Sequence, residues 1–223
     1  MNEYIFKDLK TKKEKNDLID FLKYQTTAEY GGNQIFDGTR SHIMHNPEEL
    51  SEFIYFLKNY EKKKKRKIKS YLEIGYSSGK VNTILNKFFN FERITAVDNF
   101  MSDMSSTDLL ANLRRKNLTL ICGNSNDKKT LEIVKNSKSY DLIFIDGSHE
   151  YVDAKNDLNN FYNMLSDFGV LAVHDIHSNE YPGVNKAWKE FKEKRNFEFK
   201  EISHKKYFFN CGMGLAVKKF WNN

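Results

Sequence analysis

Between Ser70 and Lys194 the chain alternates between two kinds of block. Short, largely apolar runs at Ser70–Gly75, Arg93–Val97, Leu118–Cys122, Leu142–Ile145 and Val170–Val173 are strand candidates, and the fully apolar Leu142–Ile145 has the signature of a strand buried on both faces. Between them lie segments of helical period around Val81–Phe89, Asp108–Lys116, Lys129–Lys135, Val152–Leu165 and Val184–Lys194. This alternation predicts right-handed crossovers and an α/β, doubly wound, mostly parallel sheet. The tail breaks the pattern. Phe197–Ile202 and Met213–Val217 follow one another without a helix, which predicts an antiparallel hairpin at the sheet edge and seven strands in all.

The N-terminal part has a different texture. Leu18, Ile19, Phe21 and Leu22 form an apolar stripe on a charged helical segment. From Gln25 to His45 periodicity disappears, and Gly31, Gly32 and Gly38 stand among polar and aromatic residues, as in a lid or binding loop. Asn46-Pro-Glu-Glu then opens a helix with an N-cap, a proline at its first position and a carboxylate at its third. Residues 1–66 thus read as a helical cap and lid, and residues 67–223 as the sheet domain.

Charge changes this picture in one place. Lys58 to Lys69 holds eight of the 36 basic residues against a single acid, Glu61, so the other 28 face 29 acids and nearly balance. The net charge of +6 is therefore one stretch. It reads as a contact for phosphate or anionic surfaces, or as a solvated helix end whose cations suit the helix dipole. No run approaches the roughly 18 apolar residues of a membrane span. The first residues have no signal-peptide core, and Cys122 and Cys211 lack metal-type spacing, so a cytoplasmic chain with two buried thiols is expected.

Candidate chemistry gathers at the strand ends, where open α/β sheets bind ligands. The first strand ends in Glu73-Ile-Gly75-Tyr76-Ser77-Ser-Gly79. Gly75 allows a sharp turn and close approach to a ligand, and Gly79 allows tight packing of the next helix. The spacing is neither the dinucleotide fingerprint nor a P-loop, since Val81 stands where a magnesium-binding hydroxyl would be. The second strand ends at Asp98, followed by Asn99; a carboxylate there can accept both hydroxyls of a ribose, or simply start a turn. The third runs into Gly123-Asn124-Ser125-Asn-Asp127, suited to flank an adenine ring or to cap the next helix through Asn126. The fourth stops at Asp146-Gly147-Ser148-His149, close enough for Asp146 and His149 to bracket one hydroxyl, although Asp146 and Ser148 could also serve only as helix caps.

This series of strand ends resembles the class I S-adenosylmethionine-dependent methyltransferases, and the terminal hairpin fits them too. Phe144 to Tyr151, then Asp157, then Gly169 to Ile176, are similar to the small O-methyltransferases grouped with macrolide-sugar methyltransferases and cephalosporin hydroxylase-like proteins. The resemblance covers roughly residues 40 to 220. It implies S-adenosylmethionine as cofactor, with Glu73 organising the first loop and Gly75, Tyr76 and Ser77 along the methionine portion. Asp98 would hold the ribose beside Asn99, and Gly123, Asn124 and Ser125 would border the adenine, with Gly147 and Ser148 close by. It also implies a divalent ion at Asp146, His174 and Asp175, with His149 as general base.

One departure stands out. Relatives commonly place two acids, or Asp-Asn, after the fifth strand, whereas this chain has His174-Asp175-Ile-His177. Magnesium prefers oxygen ligands and imidazole suits transition metals. The expected ion is therefore Mn²⁺ or Fe²⁺ if His174 binds, or Mg²⁺ held by the two aspartates if it turns away. The third option is acid–base work by the histidines alone.

The expected acceptor is a small-molecule hydroxyl, a sugar, nucleotide-sugar or glycan, with Tyr30, Arg40, His177 and Tyr181 as candidate contacts. A homo-oligomer is compatible with the sequence. Nucleic-acid amino methylation needs Asn/Asp-Pro-Pro-aromatic after the fourth strand, and carbon-5 methylation needs Pro-Cys; neither occurs here. RNA methylation through the basic stretch, and a binding protein without turnover, are the alternatives.

Overall fold

A computed structural model describes residues 9, 11–35, 42–101, 115–136, 138–204 and 209–218. Two helices come first, α1 (Lys12–Lys23) and α2 (Pro47–Lys64). Then follow β1 (Ser70–Ile74), α3 (Lys80–Phe89), β2 (Arg93–Asp98), β3 (Leu118–Cys122), α4 (Lys128–Lys135), β4 (Tyr140–Ile145), α5 (Tyr151–Phe161), β5 (Leu165–His174), α6 (Pro182–Lys194), β6 (Phe197–Ile202) and β7 (Met213–Lys218). The helix expected over Asp108–Lys116 falls almost wholly outside the described residues.

The sheet order is β3-β2-β1-β4-β5-β7-β6. Five strands are parallel, and β7 runs antiparallel between β5 and β6. The last strand in sequence is thus interior, and β6 takes the edge. From β1 the chain winds outward to β2 and β3, then returns to β4 beside β1 and winds the other way. That reversal leaves a crevice above β1 and β4.

Alternation along β4 shares the core between both faces. Leu142 and Phe144 pack with Leu50, Phe53, Ile54 and Leu57 of α2 and with Leu18 and Leu22 of α1. Ile143 and Ile145 pack with Leu158 and Phe161 of α5 and Trp188 and Phe191 of α6. Each such side chain contributes about 2 kcal/mol on burial. The N-terminal helices therefore share the sheet's core. As the sequence suggested, Asn46 caps α2, its Oδ1 accepting from the Glu48 and Glu49 amides at 2.9 and 3.1 Å.

Two local expectations are corrected. Asp127, not Asn126, precedes α4; Asn126 instead donates its amide to the Asn124 Oδ1 at 2.8 Å, closing a turn. Cys122 is exposed while Cys211 is buried. Cys122 ends β3, the outermost strand, where one flank has no neighbouring strand among the described residues.

The basic stretch lies at the opposite end of the sheet from the crevice. Arg66 pairs with Asp141 at 3.1 Å, Lys67 with Glu61 at 3.2 Å and Lys69 with Glu92 at 2.7 Å. Asp141 is at the start of β4, and its Oδ2 also accepts from the Lys69 and Ser70 amides at 3.0 and 3.2 Å. No helix among the described residues is long and apolar enough to cross a membrane.

Candidate active site

Register brings the strand ends to one level. Ile74 is paired with Val97 on one side and Ile145 on the other, and Ile145 with Val173. The ladder continues past the strands: Gly75 donates its amide to Val97 O at 2.9 Å and Asp146 to Ile74 O at 2.8 Å. Gly75, Asp98, Asp146 and His174 consequently emerge together. Gly75 has φ 88°, and a Cβ there would sit 1.8 Å from the Asp146 carbonyl oxygen, so only glycine lets the two loops touch. Ser77, Phe100 and Asp175 also hold left-handed backbones, at φ 48°, 53° and 60°, all beyond strand ends. Strain of this kind persists where surrounding structure imposes it, and it concentrates at functional sites.

The cleft above these ends has a volume of about 630 Å³. Its wall on the β2 and β3 side carries Asp98, Asn99, Gly123, Asn124 and Ser125. Asp98 is already a double acceptor, taking the Ser77 amide at 2.6 Å and the Phe100 amide at 2.7 Å. Glu73, Gly75, Tyr76 and Ser77 form the floor. Glu73 is buried and accepts from the Asn82 amide at 2.5 Å; Asn82 in turn accepts from Arg115. Burial pushes the Glu73 carboxyl up to about 8, against the pull of the Asn82 and Tyr71 hydrogen bonds. Gly79 lies behind the floor, where a Cβ would strike the Tyr76 ring at 2.3 Å.

At the other end three imidazoles and two carboxylates meet. His45 Nε2 lies 3.0 Å from Asp146 Oδ2, and His174 Nδ1 lies 3.1 Å from Asp146 Oδ1. His174 Nδ1 is also 3.2 Å from Asp175 Oδ2, which lies 3.0 Å from His149 Nε2. Burial alone would raise both aspartates. The His174 charge outweighs it, and both carboxyls are held well below their usual range. Burial likewise pulls the histidines down. At His174 and His149 the carboxylates prevail and the pKa rises, whereas at His45 burial and the neighbouring His174 charge prevail and it falls. The arrangement thus holds two anions around one shared cation.

Residues 72–176, which carry the four strand ends just described, match the family model of a methyltransferase domain. Those residues thus carry a methyltransferase domain. Solved structures similar to this methyltransferase include a putative caffeoyl-CoA O-methyltransferase from Staphylococcus aureus, at 16% identity and TM-score 0.62 over 92% of this chain and 99% of that one. The O-methyltransferase TomG from Streptomyces achromogenes follows at 12% and 0.59, over 89% and 88%. The N-methyltransferase NodS from Bradyrhizobium japonicum WM9 is similar at 15% and 0.55, over 76% and 96%. Likeness at these identities is one of fold, and the fold serves more than one acceptor atom. No curated protein matches the methyltransferase in sequence.

Most residues singled out in the sequence line this one cleft, Tyr30 and Tyr181 included. Tyr30 stacks on Phe209 with centroids 4.8 Å apart. Three candidates stand apart. His177 does not face the cleft; it pairs with Glu201 at 3.3 Å, because the Asp175 backbone turns the chain away after β5. Gly79 acts from behind the floor, and Arg40 lies outside the described residues. Nor are Asp146 and Ser148 the caps of α5, whose N-cap is Glu150 with no side-chain bond; Ser148 accepts from the Glu150 amide at 3.3 Å and donates to Asp153 at 2.8 Å.

His45 is the residue the sequence did not reveal. It is 101 positions from Asp146 and sits at the end of a segment without periodicity. The capping motif of α2 was the one available signal, since it fixes where the preceding residue must lie.

Proposed function

We propose that this methyltransferase transfers the methyl group of S-adenosylmethionine to a hydroxyl of a small molecule, a sugar, nucleotide-sugar or glycan precursor, with His149 as general base. The observation that carries the reading is the Asp175–His149 pair at 3.0 Å beside Asp146, on the rim of the cleft. Asp175 receives the Nε2 proton of His149, which leaves Nδ1 as the nitrogen able to take a proton from an alcohol. Asp98 would accept the ribose hydroxyls, Asn124 and Ser125 would flank the adenine, and Gly75, Tyr76 and Ser77 would line the methionine arm. The cofactor supplies an activated methyl on a sulfonium, so the protein's task is alignment and proton removal. O-methyltransferases among the similar structures favour oxygen as the acceptor.

Asp146, His174 and Asp175 each belong to a group that could hold a divalent ion. The carboxyls are held ionised, and the three residues are divided among His45-Asp146-His174, His174-Asp175-Cys211 and Asp146-His149-Asp175, with no such group among the described residues joining all three. A bound ion would lower the pKa of an alcohol coordinated to it. Two neighbouring imidazoles suit Mn²⁺ or Fe²⁺ better than Mg²⁺.

RNA methylation fits less well. The cations of the basic stretch are partly spent on Glu61, Glu92 and Asp141. They also lie a strand length, about 15 Å, from the cleft rim.

Calorimetry with S-adenosylhomocysteine tests the cofactor site, and absence of heat at high concentration defeats it. Incubation with labelled S-adenosylmethionine and a panel of sugars, nucleotide-sugars and glycans tests the acceptor class. His149→Ala should retain cofactor affinity and lose transfer; unchanged transfer removes His149 as base. Activity undiminished by chelation removes the metal.

A further inference from the structure

We propose that His45, on the segment leading into α2, is a direct metal ligand that completes a two-histidine, one-carboxylate face with Asp146 and His174 and selects a transition ion over Mg²⁺. The inference rests on the metal-assisted reading of the same site and adds to it a ligand from outside the matched domain, which begins at residue 72.

The separations carry the argument. His45 Nε2 is 3.0 Å from Asp146 Oδ2 and His174 Nδ1 is 3.1 Å from Asp146 Oδ1, and one donor atom from each of the three residues lies within 4.8 Å of the others. Metal–ligand bonds of about 2.1 Å meeting at right angles put neighbouring donor atoms about 3.0 Å apart. These distances are also hydrogen bonds, so protons and an ion compete for one place without any movement of the protein. The two rings already lie against each other, tilted by 38° with centroids 3.9 Å apart, and both residues are nearly inaccessible, at 3% and 4% exposure. Burial of that kind distinguishes the cluster from chance groupings of surface acids.

The position of His45 also suits it to coordination. Its backbone is held by the Asn46 cap of α2, whose amide bonds are 2.9 and 3.1 Å, and the ring leans on Phe144 with centroids 5.8 Å apart. The nitrogen is preorganised. Two imidazoles and a carboxylate on one face are the donor set of non-haem iron sites, and Mg²⁺ takes nitrogen ligands poorly.

The test uses the full chain, stripped with a chelator and titrated separately with Co²⁺, Mn²⁺ and Mg²⁺, with S-adenosylhomocysteine calorimetry alongside. Co²⁺ should bind at least about tenfold more tightly than Mg²⁺. Pulsed electron paramagnetic resonance of bound Mn²⁺ should detect two imidazole nitrogens, and one in His45→Ala. That variant should weaken Co²⁺ binding at least about tenfold while leaving S-adenosylhomocysteine affinity within roughly twofold. His45→Gln retains much of the side-chain volume and should weaken Co²⁺ similarly, which guards against a packing defect in the alanine variant.

Equal affinity for Mg²⁺ and Co²⁺ overturns the proposal, as does unchanged Co²⁺ binding in both variants. Loss of Co²⁺ in His149→Ala with none in His45→Ala moves the ion to the Asp146-His149-Asp175 group and also overturns it. If no ion binds while S-adenosylhomocysteine still does, metal assistance falls together with this inference and the cofactor site stands.

Discussion

The His149 ring lies flat on that of Tyr181, with centroids 3.8 Å apart and planes 12° from parallel. Asp175 grips one edge of the imidazole and Tyr181 covers one face, so the ring is fixed in both tilt and rotation. Tyr181 precedes Pro182, the first residue of α6, which anchors it. In the proposed function its first role would be to position the base. Tyr181→Ala should lower methyl transfer at least about tenfold with cofactor affinity unchanged, and Tyr181→Phe should preserve both, because stacking needs the ring and not the hydroxyl. Equal transfer by the alanine variant and the parent would remove this role.

Asp175 should be visible in the titration of His149. Burial lowers the imidazole pKa, and the Asp175 hydrogen bond and charge more than restore it. Asp175→Asn removes the charge, so the His149 midpoint followed by NMR should move down. A midpoint that stays in place means that Asp175 does not hold the ring.

Gly75 is the tightest joint in the cleft. An added Cβ meets the backbone of Asp146 and also faces an unfavourable φ of 88°. Gly75→Ala should cost at least about 2 kcal/mol of stability by urea unfolding. It should also abolish S-adenosylhomocysteine binding in calorimetry, since β1 and β4 can no longer close on each other.

Asp98 serves the loop and, in the proposed function, would also serve the ligand. With alanine there, the Ser77 and Phe100 amides lose their acceptor. S-adenosylhomocysteine affinity should fall at least about tenfold. An unaltered affinity would leave the residue a turn-former only.

Two buried carboxyls make stability fall with rising pH. Burial raises Glu73 from 4.5 to about 8 and Asp157 from 3.8 to about 7. Between those limits the folded chain holds protons the unfolded chain has released, so stability declines as pH rises through the window and levels off above about 8. Asp157→Asn should flatten the lower part of the decline and Glu73→Gln the upper part, as read from thermal unfolding between pH 5 and 9. Curves parallel to the parent would place the linkage elsewhere.

Residue periodicity along the chain determined the strands, the crossovers and the parallel sheet, because a strand covered on both faces must be apolar throughout. It determined equally that Asp98, Asp146 and Asp175 would stand at strand ends, since a carboxylate closing an apolar run has to lie beyond it. The burial of β4 and the Asn46 cap of α2 needed only local residues. The partners of those carboxylates were different. That Asp146 lies between His45 and His174, that Asp175 holds His149, that Tyr181 covers its face and that His177 turns away to Glu201 are contacts between segments far apart in sequence. Only the tertiary structure decided them. Hydrophobic period reports the face on which a residue lies, whereas hydrogen bonds and ion pairs act within a few ångströms and depend on which loops the folded sheet brings together.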